Sequence, residues 1–153
     1  MDDADYVLAP DGDLEDGGAA WTLTGGAAVV QSTGGLGTGQ RALSLPAGSS
    51  ATTAPMCIGA EHRTIRFFAR NDDGSDGSLR VAARFTTPGG QTESVRVGDV
   101  REGTSWSPTE AFDSIVNRMA VAQENAMTVS WQFTPRGETR WSIDDVYIDP
   151  FRT

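Results

Sequence analysis

In "SLRVAARFT" the apolar residues Leu79, Val81, Ala83 and Phe85 fall on alternate positions, with Arg80, Ala82 and Arg84 between them. That period of two belongs to a strand with one buried and one wet face. "AMTVSWQFT" repeats it, setting Met127, Val129, Trp131 and Phe133 against Thr128, Ser130 and Gln132, and "TIRFFAR" turns Ile65, Phe67 and Ala69 inward. "ESVRVGDV" does the same with Val95 and Val97 inward and Arg96 outward. The 18 Gly and 7 Pro cut the chain at short intervals into further segments rich in Val, Ile, Phe, Thr and Trp. Short strands at roughly 8–12-residue spacing predict an all-β fold, a sandwich of two antiparallel sheets. No repeat or linker divides the 153 residues, so a single domain over 1–153 is expected.

Two stretches read less clearly. "SPTEAFDSIVNRMAVAQENA" could be helical, since Ser107 or Thr109 could cap and Phe112, Ile115, Val116 and Met119 fall near a 3.6 period. Alternation fits "AFDSIV" nearly as well, and a strand followed by a turn is the reading taken. "NDDGSDG" concentrates turn formers and predicts a long hairpin connection, with a calcium loop as the sharper alternative.

Charge narrows the function. A net charge of -9 argues against binding a nucleic-acid backbone through the protein as a whole. All 12 basic residues are Arg, so each cation is a planar fork suited to carboxylate, phosphate or aromatic partners. The single Cys57 sits in "APMCIGA", an apolar context that predicts a buried thiol. No run approaches the ~20 apolar residues of a membrane span. One Cys and one His cannot supply the usual zinc ligands. His62 reads as a loop residue rather than a catalytic base, "TGGLGTGQ" has neither dinucleotide nor P-loop spacing, and no enzyme activity is expected.

The two ends of the chain carry the most specific pattern. Asp11-Gly12-Asp13-Leu14-Glu15-Asp16-Gly17, then Trp21, and at the far end Trp141-Ser142-Ile143-Asp144-Asp145-Val146-Tyr147-Ile148 resemble the first and last strands of the galactose-binding-like β-jelly-roll family, which includes many carbohydrate-binding modules. The resemblance spans nearly the whole chain and implies a jelly-roll. It also implies that the two ends come together around a structural calcium, held by Glu15 and Asp144 with Asp13 as a weaker candidate and nearby backbone carbonyls. A carboxylate within an apolar strand needs such a partner, or an Arg. Alternation would place Asp144 and Asp145 on opposite faces, and both could equally be edge charges that discourage strand addition. The acidic N-terminus "MDDADYVLAP" is unlike a secretory signal, and a mature form of a secreted, extracellular protein is expected, because this fold is mostly extracellular.

With Ile65, Phe67 and Ala69 inward, Arg66, Phe68 and Arg70 point outward, and Arg80, Arg84 and Arg96 do so on the other strands. Were these strands neighbours, they would form one arginine-rich face on an acidic protein whose residues 1–40 hold seven acidic residues and no basic one. Such a face could bind an acidic glycan, with forks on carboxylates or sulfates and Phe68 stacking on a ring. It could also pair with the acidic N-terminal region of a second copy and drive self-association into a filament or ring. Arg stems could finally be plain solvated cover.

Overall fold

The computed structural model describes residues 7–32, 40–58, 62–74, 76–86, 89–101, 103–110, 112–113 and 127–150. Every regular element among them is a strand. They are β1 (Val7–Leu8), β2 (Trp21–Thr24), β3 (Ala28–Gln31), β4 (Arg41–Leu45), β5 (Ser50–Thr53), β6 (Met56–Ile58) and β7 (His62–Asn71). There follow β8 (Ser78–Thr86), β9 (Thr92–Val100), β10 (Ser107–Pro108), β11 (Phe112–Asp113), β12 (Met127–Arg136) and β13 (Trp141–Pro150).

Two antiparallel sheets result. One runs β10-β7-β13-β4-β3, with β1 on β13 and β11 on β7; the other runs β2-β5-β12-β8-β9, with β6 on β12. We call them the β13 sheet and the β12 sheet. The chain passes from one to the other after β1, β2, β4, β6, β7, β9, β11 and β12, which is the alternation of a jelly-roll.

The period-two pattern places the core. Ile65 and Phe67 from one sheet and Leu79, Val81, Ala83, Phe85, Val129, Trp131 and Phe133 from the other are all buried together. Phe133 joins the layers, meeting Phe67 edge-on at 5.1 Å and Trp21 at 5.6 Å between ring centroids. Such contacts add to plain burial. Gly98 on β9 faces the same interior, where a Cβ would lie 2.6 Å from the Phe112 ring.

Three local expectations change, and a fourth is met over the two residues described. "NDDGSDG" is not a hairpin, because β7 and β8 belong to different sheets and the loop carries the chain across the sandwich. Its Asp72 accepts from Arg70 Nε at 2.7 Å and from Ser142 Oγ at 2.6 Å. The Asp11–Gly17 motif folds as successive turns rather than a strand: Asp11 Oδ1 and Oδ2 accept the amides of Asp16 and Gly18, and its carbonyl accepts Trp21 Nε1. Cys57 is exposed, because Ile58 takes the inward position on β6. Finally, Phe112–Asp113 do form a short strand, whereas 114–126 lie outside the described residues.

Asp144 and Asp145 do not alternate. β13 carries a bulge between Asp144 and Tyr147, with Asp145 in the left-handed region at φ 51°, a conformation Asp tolerates better than most residues. The extra residue shifts the parity, so that Ile143 and Val146 are both inward and fully buried. The N-terminal turns dock against this bulge: Ala9 N donates to Val146 O at 2.9 Å, and Val146 N donates to Gly12 O at 3.0 Å.

Gly12 is therefore sterically required, since a Cβ there would lie 2.6 Å from Val146 O and 2.9 Å from Ala9 O. Gly12→Ala is expected to cost about 1–3 kcal/mol through overpacking, read as a lower urea midpoint at unchanged slope. Cys57 gives a second check. The native protein should react with a thiol reagent as fast as the denatured chain, and slow native labelling would contradict its placement.

Candidate functional site

The sandwich divides the six outward residues into two groups. Arg66, Phe68 and Arg70 lie on the β13 sheet, opposite Tyr147, Asp144 and Ser142 respectively. Arg80, Arg84 and Arg96 lie on the β12 sheet, opposite Thr134, Ser130 and Ala82. The single arginine-rich face expected from the alternation is not formed, because the two groups stand on different sheets with the core between them.

Their charges are also spent unequally. Arg70 pairs with Asp72 at 2.7 Å and lies 4.9 Å over the Trp106 ring, a cation–π arrangement. On the other side, Asp99 gathers three arginines: Arg96 at 2.6 Å, Arg80 at 3.4 Å and Arg101 at 3.8 Å. Its side chain is 5% exposed, so their charge offsets the desolvation of a nearly buried carboxylate. Asp99 escaped notice in the sequence, although Arg96 and Arg101 flank it closely in "VRVGDVR".

Arg84 stands apart. It is exposed and forms no ion pair with any described residue. It lines a 160 Å³ depression with Thr52, Thr86, Thr92, Thr128 and Ser130, and Pro55 at the side. Five hydroxyl groups thus surround one uncommitted fork. Further along the same face, Gln132 Nε2 donates to Ser50 Oγ at 3.1 Å. This surface offers hydroxyl, amide and guanidinium groups that match the hydroxyls and carboxylates of sugars.

The expected calcium ligands do not form one set. Glu15 Oε1 accepts the amides of Gln40 at 2.9 Å and Arg41 at 3.1 Å, and its carbonyl accepts from Arg41 Nη1, so it ties the N-terminal turns to β4. Asp13 accepts the amide of Glu15 at 3.3 Å. Asp144 is 1% and Asp145 7% exposed, and Asp144 Oδ1 accepts the amide of Asp145 at 2.9 Å. Among the described residues, no three His, Cys, Asp or Glu side chains come together as a cation would require.

Asp145, Asp13 and Asp144 act instead on Tyr147. Burial first, and then these three carboxylates in that order, push its phenol above the ordinary 10.0.

Comparison with known proteins agrees on the fold. No protein-family model matches the sequence, and no curated protein matches it. Among solved structures, the chain is similar to the xylan-binding CBM22-1 domain of Paenibacillus barcinonensis Xyn10C, at TM-score 0.67 and 15% identity, covering 100% of this chain and 99% of that one. It is similar to the CBM22-1–GH10 modules of a Clostridium thermocellum endo-1,4-β-D-xylanase 10B complexed with xylohexaose, at TM-score 0.69 and 16% identity. There it covers 97% of this chain but 29% of that one, so it spans under a third of that protein's chain. A C-terminal family 22 module of the same xylanase, described for cleft residues in ligand binding, matches at TM-score 0.55 and 15% identity over 98% and 96% of the two chains. The fold is therefore the β-jelly-roll of carbohydrate-binding modules.

Tyr147 provides a titration test. The native state holds its proton more tightly than the unfolded chain does, so this contribution to stability is complete below pH 10.0 and is lost as pH rises through the raised native value. In a Tyr6→Phe variant, which leaves one tyrosine, the phenolate absorbance should titrate above 10.0, and Asp145→Asn should bring the midpoint down. A midpoint at or below 10.0 would contradict the packing around Tyr147.

Proposed function

We propose that this chain is a non-catalytic glycan-binding module acting outside the cell, and that it holds a carboxylate-bearing polysaccharide on the outer face of the β12 sheet. The single observation that carries the reading is Arg84: an exposed guanidinium without an ion-pair partner among the described residues, set in a depression lined by five Ser and Thr residues. A fork of this kind engages a carboxylate through two parallel charge-assisted hydrogen bonds. The neighbouring hydroxyls then meet those of the sugar ring. Likeness to solved xylan-binding modules supports the reading through the fold.

Self-assembly through arginine–carboxylate pairing is the less favoured reading. Arg80 and Arg96 already hold Asp99 of their own chain, and Arg70 holds Asp72. No carboxylate of Asp13, Glu15 or Asp144 contributes to the proposed surface, so glycan retention should be unchanged by a chelator.

The test is affinity electrophoresis against polygalacturonate and glucuronoxylan beside an unsubstituted xylan. Retention by an acidic polymer is expected, with Arg84→Ala weakening it by about 10- to 100-fold, the equivalent of ~1.5–3 kcal/mol for a hydrogen bond to a charged group. Arg80→Ala should weaken it less, because that side chain serves Asp99. Equal retention of wild type and Arg84→Ala, or retention by neutral xylan alone, would remove the acidic-glycan reading.

A further inference from the structure

A larger cavity lies away from Arg84, at the open edge of the sandwich where β9 of one sheet faces β10 and β11 of the other. Its volume is about 520 Å³, within the ~300–1,000 Å³ range of small-molecule sites. Ala69 and Phe112, 4% and 7% exposed, form part of its lining. Val100 and Pro108 add apolar wall, while Ser107, Thr109, Glu110 and Arg101 supply polar groups. The lack of a side chain on Gly98 is what allows Phe112 to close the interior beneath it.

The charges of this cavity are of both signs. Asp99, also in its lining, is held by Arg80, Arg96 and Arg101, so it presents no free anionic charge. The exposed Glu110 and Arg101 are of opposite sign. A charged ligand gains little from such a pair, whereas a neutral polyol can use both: hydroxyls donate to the carboxylate and accept from the guanidinium. Thr109 Oγ1 accepts the amide of Phe67 at 3.3 Å, leaving its own hydroxyl proton to donate. Apolar wall on Phe112, Pro108 and Val100 suits the C–H face of a sugar ring.

We propose that this edge cavity is a second saccharide site, which takes a single neutral pyranose at the end of a chain. Its lining includes the core residues Ala69 and Phe112, which favours the end of a glycan over a chain that runs through. The two sites would read different features of a glycan, its terminus and its acidic substituents.

Saturation-transfer NMR with a panel of neutral methyl pyranosides (gluco, galacto, manno and xylo) tests this. At least one should receive saturation from the wild type and equally from Arg84→Ala, while Glu110→Ala combined with Arg101→Ala should weaken binding at least tenfold. Titration of labelled protein should shift the amides of Val100 and Thr109. The substituted side chains are exposed, and an unchanged amide spectrum in the absence of sugar verifies that the variant folds. Absence of transfer to every glycoside at millimolar concentration, shifts confined to the Arg84 face, or binding unaffected by the double substitution would each overturn the proposal. Failure of the acidic-polymer reading is separable, since that reading predicts loss in Arg84→Ala and none in the Glu110 and Arg101 variant.

Discussion

The docking of the N-terminal turns on the bulge of β13 is the constraint on which the rest of the sandwich depends. β13 is central, bonded to β7 along its length, to β4 over its first residues and to β1 near its end. Its two halves have opposite parity, Trp141 and Ile143 pointing inward before the bulge and Val146 and Ile148 after it. Were this sequence to continue as a regular strand without the bulge at Asp145, Val146 and Ile148 would turn to solvent and Tyr147 would enter the core. A one-residue slip reverses every later side chain. The amide and carbonyl of Val146 are met by Gly12 and Ala9, so the turns satisfy backbone groups at the irregularity. Two adjacent aspartates in a buried strand thus have a structural origin: one occupies the left-handed position, and the other accepts its amide.

How far this was legible in the sequence depended on how local each determinant was. Leu79–Phe85, Val129–Phe133 and Ile65–Ala69 display their alternation within single segments, and their inward faces are the observed core. The jelly-roll followed from motifs at the two chain ends. Sheet membership is different, because it is decided by pairing between distant segments. Periodicity shows that Arg66 and Arg80 both point outward but cannot tell which sheet either occupies. Cys57 failed for a related reason: apolar neighbours in sequence alternate with it in space, and Ile58 has the buried place. Glu15 sits where a family motif would place a ligand, yet its carboxylate bonds to backbone amides 25 and 26 residues away.

Charge pairing further separates the arginines into groups that composition alone cannot distinguish. Asp99 draws three of them to one end of β9, at separations that fall from direct contact to loose association. A carboxylate so enclosed needs this positive surround, and removing its partners would leave a nearly buried charge uncompensated. The same clustering subtracts Arg80 and Arg96 from whatever the outer face presents to solvent. Arg84, two strand rows from Arg80 along β8, stands opposite Ser130 on one side and Ser94 on the other, with no carboxylate across from it. Recognition capacity on this face is therefore concentrated by the pairing of its neighbours.

The shapes of the two candidate surfaces then limit what each can discriminate. A shallow sheet face buries little of a polymer, and neutral hydrogen bonds exchanged with water yield only ~0.5–1.5 kcal/mol each. Hydroxyls alone would separate one neutral chain from another weakly. A charged fork adds a larger and more directional increment, so acidic substitution is the feature this face can read most strongly. The edge cavity differs in its larger volume, in the apolar lining that Phe112, Pro108 and Val100 provide, and in the opposite signs of its exposed charges. It gains from apolar contact and shape rather than from charge, and it can reject a ring by leaving Thr109 or Glu110 without a partner. Selectivity for a chain's terminus and selectivity for its charge thus arise from different physics at separate places on one sandwich, which makes each removable without the other.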